Sequence, residues 1–148
     1  MKKKYAYRTT QLYRNRKSIK VARKGPLLYI RIKTLNNTAY LEAQRCIIAE
    51  CASTIYHTFL LDLFKAQGQL SEDFVRWISR DLLPFLDQQS LTHCFIILPE
   101  ANSTIHSIIM GLQFKWAYED AFSFTLQFPT SYRDAKKLIE HSGTTLKG

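Results

Sequence analysis

Asp62 is the carboxylate best placed for chemistry. It follows Thr58-Phe59-Leu60-Leu61 and precedes Leu63 in a nearly continuous apolar run that reads as a central strand buried on both faces. Open α/β sheets build their sites at the carboxyl ends of such strands. No second acid or base stands near it in sequence to form a catalytic pair, and the plainer reading is an acceptor for loop hydrogen bonds. The cysteines, Cys46, Cys51 and Cys94, sit in apolar runs, with no Cys-x-x-Cys spacing to hold zinc and no pairing pattern for a disulfide framework. Such buried thiols fit a reducing compartment. A Cys94 dyad with His57 or His93 would need an accessible thiolate, and Cys94 opens a strand expected to be buried. His57, His93, His106 and His141 lie on different elements, and the glycines at 25, 68, 111, 143 and 148 form no phosphate-cradling loop. We therefore assign no catalytic residue, metal or cofactor, and the chain reads as a protein that is not an enzyme.

The charge pattern is more informative. Residues 1–41 hold 12 Lys/Arg and no Asp/Glu, whereas residues 42–148 hold 9 Lys/Arg and 12 Asp/Glu, a balance of −3. The overall charge of +9 therefore belongs to the N-terminal part, and the rest is mildly acidic. Lys2, Lys3, Lys4, Arg8, Arg14, Arg16 and Lys17 are interleaved with Tyr5, Tyr7 and Tyr13. Lysine and arginine contact phosphates and tyrosine rings stack on unpaired bases, which is the chemistry of a polyanion-binding arm. A solubilising tail, or a segment folded against the acidic body, has the same composition. Lys20, Arg23, Lys24, Arg31 and Lys33 read as a wet sheet edge or face, where charge also blocks unwanted strand pairing.

The elements that must position these groups follow from periodicity. Residues 1–17 read as a poorly ordered basic lead-in, 18–142 as one α/β domain and 143–148 as a polar tail. Ile19–Lys24 and Leu27–Leu35 read as a hairpin punctuated by Gly25-Pro26. In its second strand Leu28, Ile30 and Ile32 alternate with Tyr29, Arg31 and Lys33. Asn36-Asn37-Thr38 offers N-caps for a helix with Tyr40, Ala43, Ile47, Cys51 and Ile55 on one face. Ser71 is a second N-cap, followed by Glu72 and Asp73 at the positive end of the helix dipole, with a Leu70–Val75 staple and an apolar face of Phe74, Ile78, Leu82 and Phe85. Pro84 is expected to kink or end that helix. Trp77, beside Ile78 at helical spacing, is expected to be at least partly buried. Cys94–Pro99 reads as a strand, Asn102 or Ser103 as the cap of a third helix, Phe124–Phe128 as a last strand, and Ser131 as the cap of a closing helix carrying Ala135, Leu138 and Ile139. The order is β-β-α-β-α-β-α-β-α, a mixed, mostly parallel sheet of about five strands with helices on both faces. No signal peptide or apolar span is evident, so a cytoplasmic location is expected.

Three stretches carry a resemblance over about residues 19–141. They are Phe59-Leu60-Leu61-Asp62-Leu63 with a helix start about eight residues later, Ser71-Glu72-Asp73-Phe74-Val75-Arg76-Trp77 running to Leu83-Pro84, and Phe128-Pro129-Thr130-Ser131-Tyr132-Arg133-Asp134-Ala135-Lys136-Lys137-Leu138. In these the chain resembles the small bacterial STAS-like proteins, named for sulfate-transporter and anti-sigma-factor-antagonist domains, whose fold is shared with CRAL-TRIO lipid-binding domains. The resemblance implies a non-catalytic regulatory module that binds another protein, with Ser71 at the place of a phosphorylated switch serine. Asp62, Lys65, Glu72 and Arg76 then mark the interaction surface. Where the family has Asp before the serine and Ser-Gly after it, this chain has Leu70, Glu72 and Asp73, and a phosphate there would meet like charge. The alternative is nucleic-acid or ribosome association through residues 1–17. An apolar-ligand site under the third helix is a third reading, for which the short chain offers no lid helices.

Overall fold

The computed structural model describes residues 9–15, 18–68, 71–99 and 121–141. Among these residues six strands form one sheet: β1 (Thr9–Asn15), β2 (Ile19–Lys24), β3 (Leu27–Ile32), β4 (Thr58–Asp62), β5 (His93–Ile97) and β6 (Thr125–Gln127). They lie in the sheet in chain order. β1, β2 and β3 pair antiparallel, and β3, β4, β5 and β6 pair parallel. The fold is therefore α/β with a mixed sheet. The expected hairpin is there, but it carries an additional strand: β1 forms within the stretch read as a lead-in and pairs with β2 across a register shift between Gln11 and Tyr13. Its polar, charged sequence masks the alternation that marks a strand, because an edge strand needs little apolar surface.

Successive parallel strands advance one way across the sheet. Right-handed crossovers from β3 to β4 and from β4 to β5 then put their connecting helices on one face. That face carries α1 (Asn37–Ser53) and a second, composite helix formed by α2 (Glu72–Arg76), a π-helical stretch (Trp77–Leu82) and α3 (Leu83–Asp87). Val21, Ile30, Phe59, Leu61, Cys94 and Ile96 from the strands pack there against Tyr40, Ile47, Phe74, Ile78 and Leu82 from the helices. Asn36 caps α1, its Oδ1 accepting from the Ala39 amide at 2.8 Å. Trp77 is buried, stacks on Tyr40 with ring centroids 5.1 Å apart and donates through Nε1 to Gln44 at 2.8 Å, which locks the two helices together.

Pro84 neither ends nor replaces the second helix. Its missing amide removes one rung of the helical ladder, and the chain widens by a π-helical stretch just upstream, where the Ser79 hydroxyl also bonds to the Val75 carbonyl at 2.8 Å. Ile55 is a second difference: α1 ends at Ser53, so Ile55 leaves the helical stripe and is 70% exposed. The expected third helix and Leu70 of the expected staple fall outside the described residues.

The closing helix, α4 (Tyr132–His141), lies on the opposite face, its first turn capped by Ser131, whose Oγ accepts from the Asp134 amide at 3.1 Å. Ala135 and Ile139 bury against Leu27, Leu60, Phe95 and Ile97. Its core is thus confined to β3, β4 and β5.

β3 joins the antiparallel and parallel halves of the sheet, and Ile30 at its centre is fully buried. Ile30→Ala is expected to lower stability by about 2–5 kcal/mol in urea unfolding. A loss within the ordinary surface range of about 0.5 kcal/mol would contradict that packing role.

Candidate functional site

α4 leaves the β2–β3 part of its face uncovered, and the sequence answers with polar side chains. On β2 and β3 the register sets Lys24 opposite Leu27, Ala22 opposite Tyr29 and Lys20 opposite Arg31. Arg31 in turn lies opposite Asp62 on β4. Side chains at paired positions share a face, so Lys20, Lys24, Tyr29, Arg31 and Asp62 converge beside α4. They line a concavity of about 340 Å³, together with Thr9 and Arg23 and with Tyr132 from the first turn of α4. A second concavity of about 340 Å³ adjoins it at Arg31, lined also by Lys33, Thr34, Lys65 and Gln67. Backbone bonds between Lys33, Gln67 and Leu35 hold the second rim: the Gln67 amide donates to the Lys33 carbonyl at 2.7 Å and the Leu35 amide to the Gln67 carbonyl at 2.8 Å. Gly68, with φ +107, makes the turn there, where a side chain would be strained and close to the Leu35 carbonyl.

The electrostatics of this trough are lopsided. Among the described residues, Lys20, Lys24, Arg31, Lys33 and Lys65 stand against a single lining carboxylate, Asp62, while Arg23, opposite Leu28, turns its side chain to the helical face. That carboxylate is buried and occupied: one oxygen accepts the Tyr29 hydroxyl at 2.8 Å and the other the Phe64 amide at 3.1 Å. Arg31 Nε is buried without a hydrogen-bond partner, a costly state for a charged donor. Tyr29 and Tyr132 meet edge to face, centroids 5.9 Å apart, with Tyr132 still 45% exposed. Burial, then the Asp62 charge, pushes the Tyr29 phenol above its ordinary value, and the same two causes raise Tyr132. Tyr29 therefore stays protonated and serves as a fixed donor that orients Asp62.

The residues singled out from sequence fall into two places. Asp62 and Lys65 belong to the trough. Ser71, Glu72 and Arg76 are exposed at the start of the second helix, on the other side of the sheet. Ser71 occupies the N-cap position of α2; its carbonyl accepts from Phe74, while its hydroxyl makes no cap bond. Arg76 pairs with Asp73 at 2.8 Å, and Asp73 also accepts from Asn37 at 3.2 Å. Arg14 lies in β1 opposite Lys20 in the ladder. Lys2, Lys3, Lys4, Arg8, Arg16 and Lys17 lie outside the described residues. Tyr29 and Tyr132 were not anticipated as site residues. For Tyr29 the signal was present, since it alternates in phase with Arg31 and Lys33; for Tyr132 nothing in the sequence indicates that α4 returns to this face.

The Cys94 thiol is fully buried in the core between sheet and helices, and burial raises it far above the ordinary range. His93, next in the chain, points to the other face and stacks on Phe95. Cys94 is therefore a core residue and no nucleophile is available there. Among the described residues no cluster of three His, Cys, Asp or Glu is placed to hold a metal, and no helix is long and apolar enough to cross a membrane. Comparison with family models, curated proteins and solved structures gives no match.

Tyr29, Tyr40 and Tyr56 are all raised from 10.0 chiefly by burial, Tyr40 and Tyr56 to about 12. Below pH 10 folded and unfolded chains both keep these protons. Above it the unfolded chain releases them first, so it binds fewer protons and stability falls as pH rises. Urea midpoints are expected to be flat with respect to these groups up to about pH 9 and to drop from about pH 10 upward. Midpoints unchanged to about pH 11 would contradict it.

Proposed function

We propose that the protein is a non-catalytic regulatory module whose principal ligand is a phosphate-bearing anion, received in the basic trough between β2, β3 and α4. The observation that carries this reading is the ratio of lining charges: among the described residues five cationic side chains meet one carboxylate, and that carboxylate is already held by Tyr29 and Phe64. An anion entering there gains charge-assisted bonds and gives the buried Arg31 Nε an acceptor. The reading moves the polyanion-binding chemistry expected of residues 1–17 onto the folded sheet, where side chains are preorganised and less ordering entropy is lost on binding.

A second reading keeps the STAS-like expectation of a protein partner and uses the helical face. Leu41 and Ile48, seven residues apart on α1, are 65% and 45% exposed. Their helical phase puts them on the flank of Gln44, which bonds to Trp77 and to the Asp81 carbonyl of the composite helix. Exposed Ser71 and the Asp73–Arg76 pair stand at the same helix's start. A phosphate on Ser71 would face Glu72 and Asp73, so a switch there would work by repulsion. If this surface binds a protein, Leu41→Asp with Ile48→Asp is expected to release that partner while the thermal midpoint stays within a few degrees, and co-purification with the wild-type chain as comparator reads the difference.

The trough is tested by calorimetric titration with inorganic phosphate and uridine monophosphate. Lys20→Glu with Arg31→Glu is expected to weaken binding by about tenfold or more. Removal of residues 1–8, which leaves β1 in place, is expected to leave affinity within about twofold. Affinity lost with residues 1–8 and kept in the Lys20/Arg31 variant would instead assign the function to the N-terminal segment.

A further inference from the structure

The trough is long rather than round. Its two concavities share Arg31 and run along β3 from Leu27, opposite Lys24, to Lys33. Six residues of strand cover about 20 Å. Along that line one face presents Lys24, then Tyr29, then the Lys20–Arg31 pair, then Lys33 with Lys65 at its side. Same-face positions on a strand repeat every ~6.6 Å, close to the reach between successive phosphates of an extended single strand. A single small anion would use one end of this line and leave the other cations idle. A duplex would find no use for the tyrosines, because its bases are already stacked on one another.

We infer that the trough is a track for single-stranded nucleic acid, with Lys24, the Lys20–Arg31 pair, Lys33 and Lys65 contacting phosphates along its length and Tyr29 and Tyr132 offering ring surface to unpaired bases. The inference rests on the anion-binding reading above and names its ligand class. Two independent features support it. The cations lie in register with the strand rather than in a cluster, as a charged groove that follows a backbone requires. The aromatic pair sits beside them at the trough wall, with Tyr132 half open to solvent at 45%. Asp62 interrupts the positive line, but Tyr29 and Phe64 engage both its oxygens, which fixes it against the sheet. Contacts of this kind read backbone and stacking surface, so binding is expected to be tolerant of sequence.

The test uses the full chain and a fluorescein-labelled oligouridylate of about a dozen nucleotides, followed by anisotropy across a salt series, with uridine monophosphate and a duplex DNA as competitors. The oligonucleotide is expected to bind at least about tenfold tighter than the monophosphate, and log affinity to fall linearly with log salt. Lys33→Ala with Lys65→Ala is expected to reduce that slope by about 1.4, or about 0.7 per lost phosphate contact. Tyr132→Ala, at an exposed helical position, is expected to weaken the oligonucleotide about tenfold with little change in slope. Monophosphate binding with no gain for the oligonucleotide, a slope unaltered in the Lys33/Lys65 variant, or equal competition by the duplex would each overturn the track while leaving the anion site standing. No binding of monophosphate, inorganic phosphate or oligonucleotide would overturn both.

Discussion

A helix about 10 Å across covers about two strands spaced about 4.8 Å apart, and the rest of this molecule is arranged around that limit. Strands that advance in chain order send their crossover helices to one face. Among the described residues the other face carries α4, and its ten residues of helix seal the middle of the six-stranded sheet. Leu27, Leu60, Phe95 and Ile97 fill the sealed part. Beyond it the same face continues as Lys20, Lys24 and Arg31, because side chains that meet water must be soluble. The basic trough is the part of that sheet face that lies beyond the cover of α4.

β3 makes that remainder a structured site rather than a wet edge. It pairs antiparallel on one side and parallel on the other, so it brings residues from the basic N-terminal part against Asp62 from the mildly acidic body. The Tyr29–Asp62 bond spans that junction. It holds a carboxylate at the carboxyl end of a buried strand, where α/β sheets commonly build sites, and here the carboxylate organises its neighbours while cations provide the outward chemistry. The helical face is packed differently. There Trp77, Tyr40 and Gln44 join the two helices into a layer, and Leu41 and Ile48 on α1 stay exposed to solvent.

Much of the architecture was legible from sequence because it rests on apolar periodicity. The continuous runs at 58–62 and 93–97 could be little else than buried strands, and Tyr40, Ala43 and Ile47 mark the inner face of α1. β1 was not legible, since an edge strand is paired through backbone bonds that leave little trace in side-chain pattern. The composite second helix was half legible: Pro84 signals a disturbance, but whether a helix breaks or widens depends on how Phe74, Ile78 and Leu82 hold it to the sheet. The site was visible only in pieces. Alternation gives Tyr29, Arg31 and Lys33 a common wet face, and Asp62 stands out as a carboxylate ending an apolar run. That they meet, with Tyr132 completing the wall, follows from register and from the face α4 chooses, neither of which is encoded in local spacing.

The claim on which the functional reading turns is where an anion binds. Amide chemical-shift mapping of the labelled full-length chain during titration with uridine monophosphate locates it directly. The largest shifts are expected on β2 and β3 around Lys20, Tyr29 and Arg31, on Asp62 and Phe64, and at Tyr132, with α1 and the second helix unmoved. Shifts confined to residues 1–8, or to the Leu41–Ile48 flank of α1, would contradict it.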